Sequence, residues 1–240
     1  MLENLNVEEI VFIDIETIPA ASSFNTLTPE WQQHWQHKMR FQVREGEDPG
    51  SIYERAGIYA EFGRIICIST GYLFKKKNEY HFRVKSFSDD EERLLLSNFF
   101  NALALFEKAG KKKLCAHNGQ EFDYPYISRR SLVNGLDLPG IFDIAGSKPW
   151  EVKDQLLDTL QLWKFGDYKH YTALALLCSL FNIPTPKDEM DGSQVARVYY
   201  EENNLEKITR YCEKDALAVA NLLLCYKKMP IIPMENMEVA

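Results

Sequence analysis

Residues 11–17 read Val-Phe-Ile-Asp-Ile-Glu-Thr, a run of β-branched and aromatic residues broken by two carboxylates two positions apart. A run this short and apolar, with Pro19 close behind, reads as a strand with both faces buried. Side chains alternate along a strand, so Asp14 and Glu16 leave it on one face, near its C-terminal end. Two acids on one face of a buried strand raise their pKa or destabilise the fold, and they also repel each other. The run holds no lysine or arginine to neutralise them, so the arrangement points to a cation supplied from outside. Oxygen-only ligands suit Mg²⁺ or Mn²⁺ better than zinc. Read alone, the same pair could equally cap a turn at the strand end, and the assignment needs partners elsewhere in the chain.

At 240 residues the chain can bury a substantial core, and it reads as a single domain, 1–240, with an insertion at about residues 19–62. The net charge of -7 argues against a protein that coats duplex DNA, which must neutralise many phosphates. It leaves room for an enzyme that grips a few nucleotides through metal ions. Cys67, Cys115, Cys178, Cys212 and Cys225 are odd in number and widely spaced, mostly within apolar runs. That usage fits buried thiols in a reducing compartment and neither a disulfide framework nor a zinc spacing. Residues 1–9 carry acids and no apolar signal core, and no run approaches a membrane span, so a cytoplasmic protein with no membrane contact is expected.

Beyond the first strand, Trp31, Trp35 and Met39 fall at helical spacing after Pro29, making either a small core or a flap over a site. Gly46, Asp48, Pro49 and Gly50 break that helix. Residues 64–74 and 79–87 read as a hairpin turning at Lys75-Lys76-Lys77-Asn78, and an amphipathic helix follows over 94–109, closed by Gly110. A fourth strand is expected at 114–117 and a fifth at 155–157, where Asp158-Thr159 can open a helix. After a polar bend at 166–170 come helices over 172–181, 194–202 and 205–229, then a frayed tail. The order predicts an α/β fold with a mixed sheet of about five strands flanked by helices.

Two further fragments carry acids. The fourth strand runs into Asn118-Gly-x-x-Phe122-Asp123-x-Pro125-Tyr126-Ile127, where a bend and a helix start put Asp123 at the C-terminal edge of the sheet. The last helix holds Tyr211-x-x-x-Asp215, two side chains one turn apart on one face, beside an apolar run. Each acid taken singly could be an ordinary helix-terminus or surface residue. Together with Asp14-x-Glu16-Thr17, in this chain order, the fragments closely resemble the 3′-5′ exonucleases of the DEDD superfamily. Tyr211 stands where another branch has histidine, so the resemblance is to the tyrosine branch. The second and third motifs are similar to the proofreading domain of family B DNA polymerases, including the Arg129-Arg130 pair and the Tyr-Cys-x-Lys-Asp-Ala wording.

That resemblance implies a ribonuclease H-like sheet and a two-metal hydrolysis of phosphodiesters. In it Asp14 bridges two Mg²⁺ or Mn²⁺ ions, Glu16 and Asp215 complete the first, and Asp123 supports the second through water. Tyr211, with an ordinary pKa near 10, orients the attacking water rather than deprotonating it. Thr17, Asn118 and Phe122 match positions that contact the terminal nucleotides, and Phe122 is equally readable as core. Arg129, Lys187 and the Trp31/Trp35 region are further candidates for holding the strand. The implied activity is release of 5′-monophosphates from the 3′ end of single-stranded nucleic acid, DNA before RNA, with any polymerase or repair partner left open. The rivals are the same chemistry on short RNA and a catalytically silent nucleic-acid-binding module. An Asp-x-Asp phosphatase is disfavoured by glutamate at position 16.

Overall fold

The first strand, β1 (Ile10–Pro19), is buried because strands flank both its edges and helices cover both its faces. The structure is a computed structural model that describes residues 2–44, 47–148, 151–152, 154–167, 171–184 and 190–240. Gly46, Lys187 and residues 168–170 of the expected bend lie outside the described residues. On one side β2 (Gly63–Lys76) pairs antiparallel with β1, and β3 (Glu79–Ser88) pairs antiparallel with β2. On the other, β4 (Lys113–Ala116) and β5 (Leu156–Asp158) add in parallel. The β2–β3 hairpin turns at Lys77 and Asn78 with φ of 50° and 68°, the two left-handed residues that match the twist of the strands they join.

Among the described residues the sheet has six strands, in the order β5-β4-β1-β2-β3-β6, where about five were expected. The sixth, β6 (Met237–Val239), comes from the tail expected to fray; it runs parallel to β3 and covers that strand's open edge. Glu238 holds it there through Arg83 at 2.7 Å and Lys76 at 3.2 Å. Three residues are too few for a periodic signal, so only the presence of an unpaired edge reveals them as a strand.

Seven α-helices are seen among the described residues: α1 (Pro29–Met39), α2 (Glu92–Lys108), α3 (Asp123–Val133), α4 (Thr159–Lys164), α5 (Leu174–Leu180), α6 (Val195–Tyr200) and α7 (Leu205–Tyr226). Val11, Ile13 and Ile15 face a core built with Leu95, Leu96 and Phe99 of α2 and Tyr124, Tyr126 and Ile127 of α3. Ile10 and Phe12 face the opposite core with Ala216, Val219, Ala220 and Leu223 of α7. The parity of β1 therefore puts Asp14 and Glu16 on the α7 side. At the far end the register slips between Glu16 and Thr17, because β2 carries one extra residue there.

Residues 20–62 carry their own small core, in which Trp35, Met39, Tyr53, Ala56 and Phe62 are buried. The aromatic stripe is thus packing: Trp35 is 0% exposed and donates its indole N–H to the Pro49 carbonyl at 2.8 Å. Trp31 is 44% exposed and lies edge-on to Phe62.

A buried ion pair ties the sheet to α2 and α3. Glu92 accepts hydrogen bonds from Arg130 Nε at 2.9 Å and Nη2 at 2.6 Å, from Asn134 at 2.8 Å and from the Ile65 backbone at 2.7 Å. Removing one member leaves the rest desolvated and unpaired. Glu92→Ala is expected to lower the unfolding free energy by about 3 kcal/mol or more. Urea unfolding checks this as a lower midpoint at unchanged slope, and Glu92→Met combined with Arg130→Leu should recover much of the loss.

Candidate active site

β4 pairs with β1 only from Ile10 to Phe12, so beyond that point the edge of β1 facing β4 lies open. The site forms in this notch. From one face α7 brings Tyr211, Cys212 and Asp215 against Asp14 and Glu16; the Cys212 thiol donates to the Asp14 carbonyl at 3.3 Å. From the other face comes Asp123, the first residue of α3, whose carboxylate accepts from the Ile15 backbone N–H exposed in the notch.

The bend that delivers Asp123 has its own local causes. Asn118 sits at φ 62°, a conformation asparagine tolerates well. A Cβ on Gly119 would lie 2.5 Å from Ala116 Cβ, so only glycine fits. Asp158 caps α4 and also reaches across to the bend, accepting the backbone N–H of Asn118 at 2.9 Å and of Gln120 at 3.1 Å.

Asp14, Glu16, Asn118, Phe122, Asp123, Tyr211 and Asp215 all line one cavity of about 650 Å³. Thr17 does not. It stands at an odd position of β1, on the face opposite Asp14 and Glu16, and its hydroxyl donates to the Gly57 carbonyl at 2.8 Å. Arg129 is exposed on α3 and also lies outside the cavity lining, as do Trp31 and Trp35. His117 and Tyr171 line the cavity although no motif marked them. The imidazole is held by the Thr159 hydroxyl and the Thr172 carbonyl, each at 2.9 Å, and the Tyr171 ring lies edge-on to it. A histidine directly after a buried strand was the available signal.

Burial is the main cause of every shifted titration here. It lifts Asp215 to about 6 and Asp123 to about 8, and it holds Asp14 and Glu16 well above the usual carboxylate range. Mutual repulsion adds to it: Asp215 and Asp123 push Asp14 up, and Asp14 and Asp215 push Glu16 up. Tyr211 is raised by burial and then by Asp215, Glu16 and Asp14, so its phenol stays protonated at neutral pH. Burial lowers His117, which keeps it neutral.

The donor set fits hard divalent cations. Asp14 Oδ2 is buried with no hydrogen-bond partner among the described residues, and a carboxylate left in that condition calls for a positive charge. Oxygens of Asp14 and Glu16 lie within 4.8 Å of each other and of the Cys212 sulfur, a thiol that burial keeps protonated and that donates to the Asp14 carbonyl. Among the described residues Asp123 and Asp215 fall outside that cluster and line the same cavity.

A sequence model of one protein family, described as a predicted 3′-5′ exonuclease related to the exonuclease domain of PolB, matches residues 58–232. The chain belongs to this family. The matched span contains Asp123, Tyr211 and Asp215, while β1 with Asp14 and Glu16 lies before it and is joined to it by the geometry of the notch. Among solved structures this exonuclease-family chain is similar to a family B DNA polymerase from the hyperthermophilic archaeon Pyrobaculum calidifontis. The match has a TM-score of 0.52 at 15% identity and covers 91% of this chain and 24% of the polymerase. The chain thus spans about a quarter of the length of that polymerase, and the likeness establishes a ribonuclease H-like fold.

The raised carboxyl groups make a pH prediction for the metal-free protein. Between about pH 4 and pH 8 these carboxyl groups bind more protons in the folded chain than in the unfolded one, so their contribution to stability falls as pH rises through that window, against a smaller opposite contribution from the lowered His117. Urea midpoints in EDTA should decline across it, and Mn²⁺ should flatten the decline. Asp14→Asn, which puts a permanently neutral group where burial and neighbouring acids oppose the carboxylate, should raise the metal-free Tm by about 2–4 °C, the change equivalent to about 1 kcal/mol.

Proposed function

We propose that this chain is a metal-dependent 3′-5′ exonuclease that removes nucleoside 5′-monophosphates from the 3′ ends of single-stranded DNA. The observation that carries this reading is the convergence of four carboxylates on one cavity, with a buried Asp14 oxygen left unpartnered. Asp14, Glu16, Asp123 and Asp215 would hold two divalent cations, Mg²⁺ or Mn²⁺. When bound, such ions supply a hydroxide nucleophile at neutral pH and neutralise charge on the scissile phosphate and the departing 3′ oxygen.

The chain's own groups do the positioning. Tyr211, protonated and hydrogen-bonded to Asp215, serves as an orienting phenol for the attacking water and is too weak an acid to serve as its base. Asn118, whose Oδ1 is buried at the cavity wall with no partner among the described residues, is suited to take a hydrogen bond from the terminal sugar. Phe122, half-buried against the Tyr126 ring, offers an apolar edge to the last base, a contact tolerant of sequence. Cations within an acidic pocket also reverse the local field, which allows a chain of charge -7 to dock a phosphate. The cysteines seen in the structure are all free, which favours a reducing compartment such as the cytoplasm.

Mn²⁺-dependent digestion of end-labelled DNA and RNA, single- and double-stranded, with and without a blocked 3′ end, tests the reading. Single-stranded DNA with a free 3′ end should shorten stepwise. Asp14→Ala and Asp215→Ala should abolish cleavage, and wild-type turnover in both would remove the mechanism. Tyr211→Phe should keep the Mn²⁺-induced rise in Tm yet lose about a hundredfold in kcat, the scale of one lost water-positioning group.

A further inference from the structure

A second cavity of about 570 Å³ opens between the 20–62 insertion and α6. Its apolar surfaces are Phe24 and Tyr53 from the insertion and Tyr200 and Ala196 from α6. Hydrogen-bonding groups stand beside them, among them Asn25 and Gln194. No motif in the chain marks this groove.

Its position links it to the catalytic notch. Met190, Asp191 and Gly192 line the active-site cavity, and the next two residues, Ser193 and Gln194, line the groove. β1 does the same, carrying Glu16 into one and Pro19 into the other. Three strand residues span about 10 Å, which is about three base steps at the stacked spacing. The walls are tied together, because the Tyr200 hydroxyl donates to the Pro19 carbonyl at 2.7 Å.

The charges decide which part of a nucleotide fits. Asp48, Glu54 and Glu201 line the groove, and its cation, Arg197, is paired with Glu202 at 2.6 Å. Phosphate is disfavoured in such a place. A nucleobase is favoured: ring faces for stacking, and carboxylate and amide acceptors for its exocyclic amines. We infer that the groove is a base-binding subsite for a nucleotide about three positions from the 3′ end, with the backbone phosphates turned to solvent. The inference rests on the exonuclease reading of the neighbouring cavity and extends it from the terminal nucleotide to the strand behind it.

Two measurements on the full chain test it. Single-stranded oligonucleotides carrying 2-aminopurine at one position at a time are titrated in Ca²⁺, and fluorescence should respond most near the fourth nucleotide from the 3′ end, about three steps behind the terminal one. Ala196→Trp, which fills the groove, and Phe24→Ala, which removes a wall, should erase that positional response. The same variants should raise KM for an octanucleotide about tenfold, with kcat held within a factor of two, the loss expected for one stacked base. Hydrolysis of the p-nitrophenyl ester of thymidine 5′-phosphate, which reaches only the catalytic cavity, should be unchanged. A flat positional profile, a profile retained in the variants, or an equal loss on both substrates overturns the subsite. If Ala196→Trp melts early, Phe24→Ala and Gln194→Ala carry the same comparison. A wild-type protein that cleaves neither substrate sinks the exonuclease reading instead, while the 2-aminopurine profile still decides the groove.

Discussion

Four carboxylates crowd a half-closed notch beside β1, and their mutual repulsion is the constraint around which the rest of the molecule is arranged. Left to itself the chain would move them apart or protonate them, and burial pushes all four toward the protonated form. They stay together because each is fixed to an element whose place is set by apolar packing elsewhere. Asp14 and Glu16 belong to β1, eight of whose ten residues are buried, and Asp215 rides on α7, whose Ala216, Val219, Ala220 and Leu223 are packed against that strand's other residues. Asp123 is delivered by α3, anchored by Tyr124, Tyr126 and Ile127 in the opposite core.

Polar groups outside the notch complete the arrangement. Asp158 ends β5, caps α4 and pins the bend before α3, so one carboxylate fixes the relative placement of three segments. The Glu92–Arg130 pair clamps α2 and α3 to β2, and Arg130 also donates to the Ala60 carbonyl at 2.9 Å. The insertion is held to the same frame, with the Tyr126 hydroxyl and Thr17 both donating to the Gly57 carbonyl at 2.8 Å. These contacts fix the elements that carry Asp14, Glu16 and Asp123 against one another.

Repulsion of this kind is hard to reconcile with a purely structural site. A core with no chemistry to perform is more stable with apolar residues at positions 14, 16, 123 and 215. The neutral state of Tyr211 follows first from its burial and then from the acids around it, which oppose formation of a phenolate.

Much of this was legible in the residues themselves. The strand character of β1 and the shared face of Asp14 and Glu16 follow from a period of two, and the pairing of Tyr211 with Asp215 follows from helical spacing. The glycine bend before Asp123, the Lys77-Asn78 turn and the cap at Asp158 are equally local, because each depends on the conformational habits of a few adjacent residues. Other features arise only from long-range closure. β6 becomes a strand because β3 has an open edge, and Thr17 is turned from the cavity by the face it occupies and the insertion it meets. His117 and Tyr171 join the cavity because α4 and α5 fold back over the end of β4. Local sequence sets which conformations and which faces are available. The meeting of acids 201 residues apart in one notch, where their charges acquire meaning, is decided by tertiary packing alone.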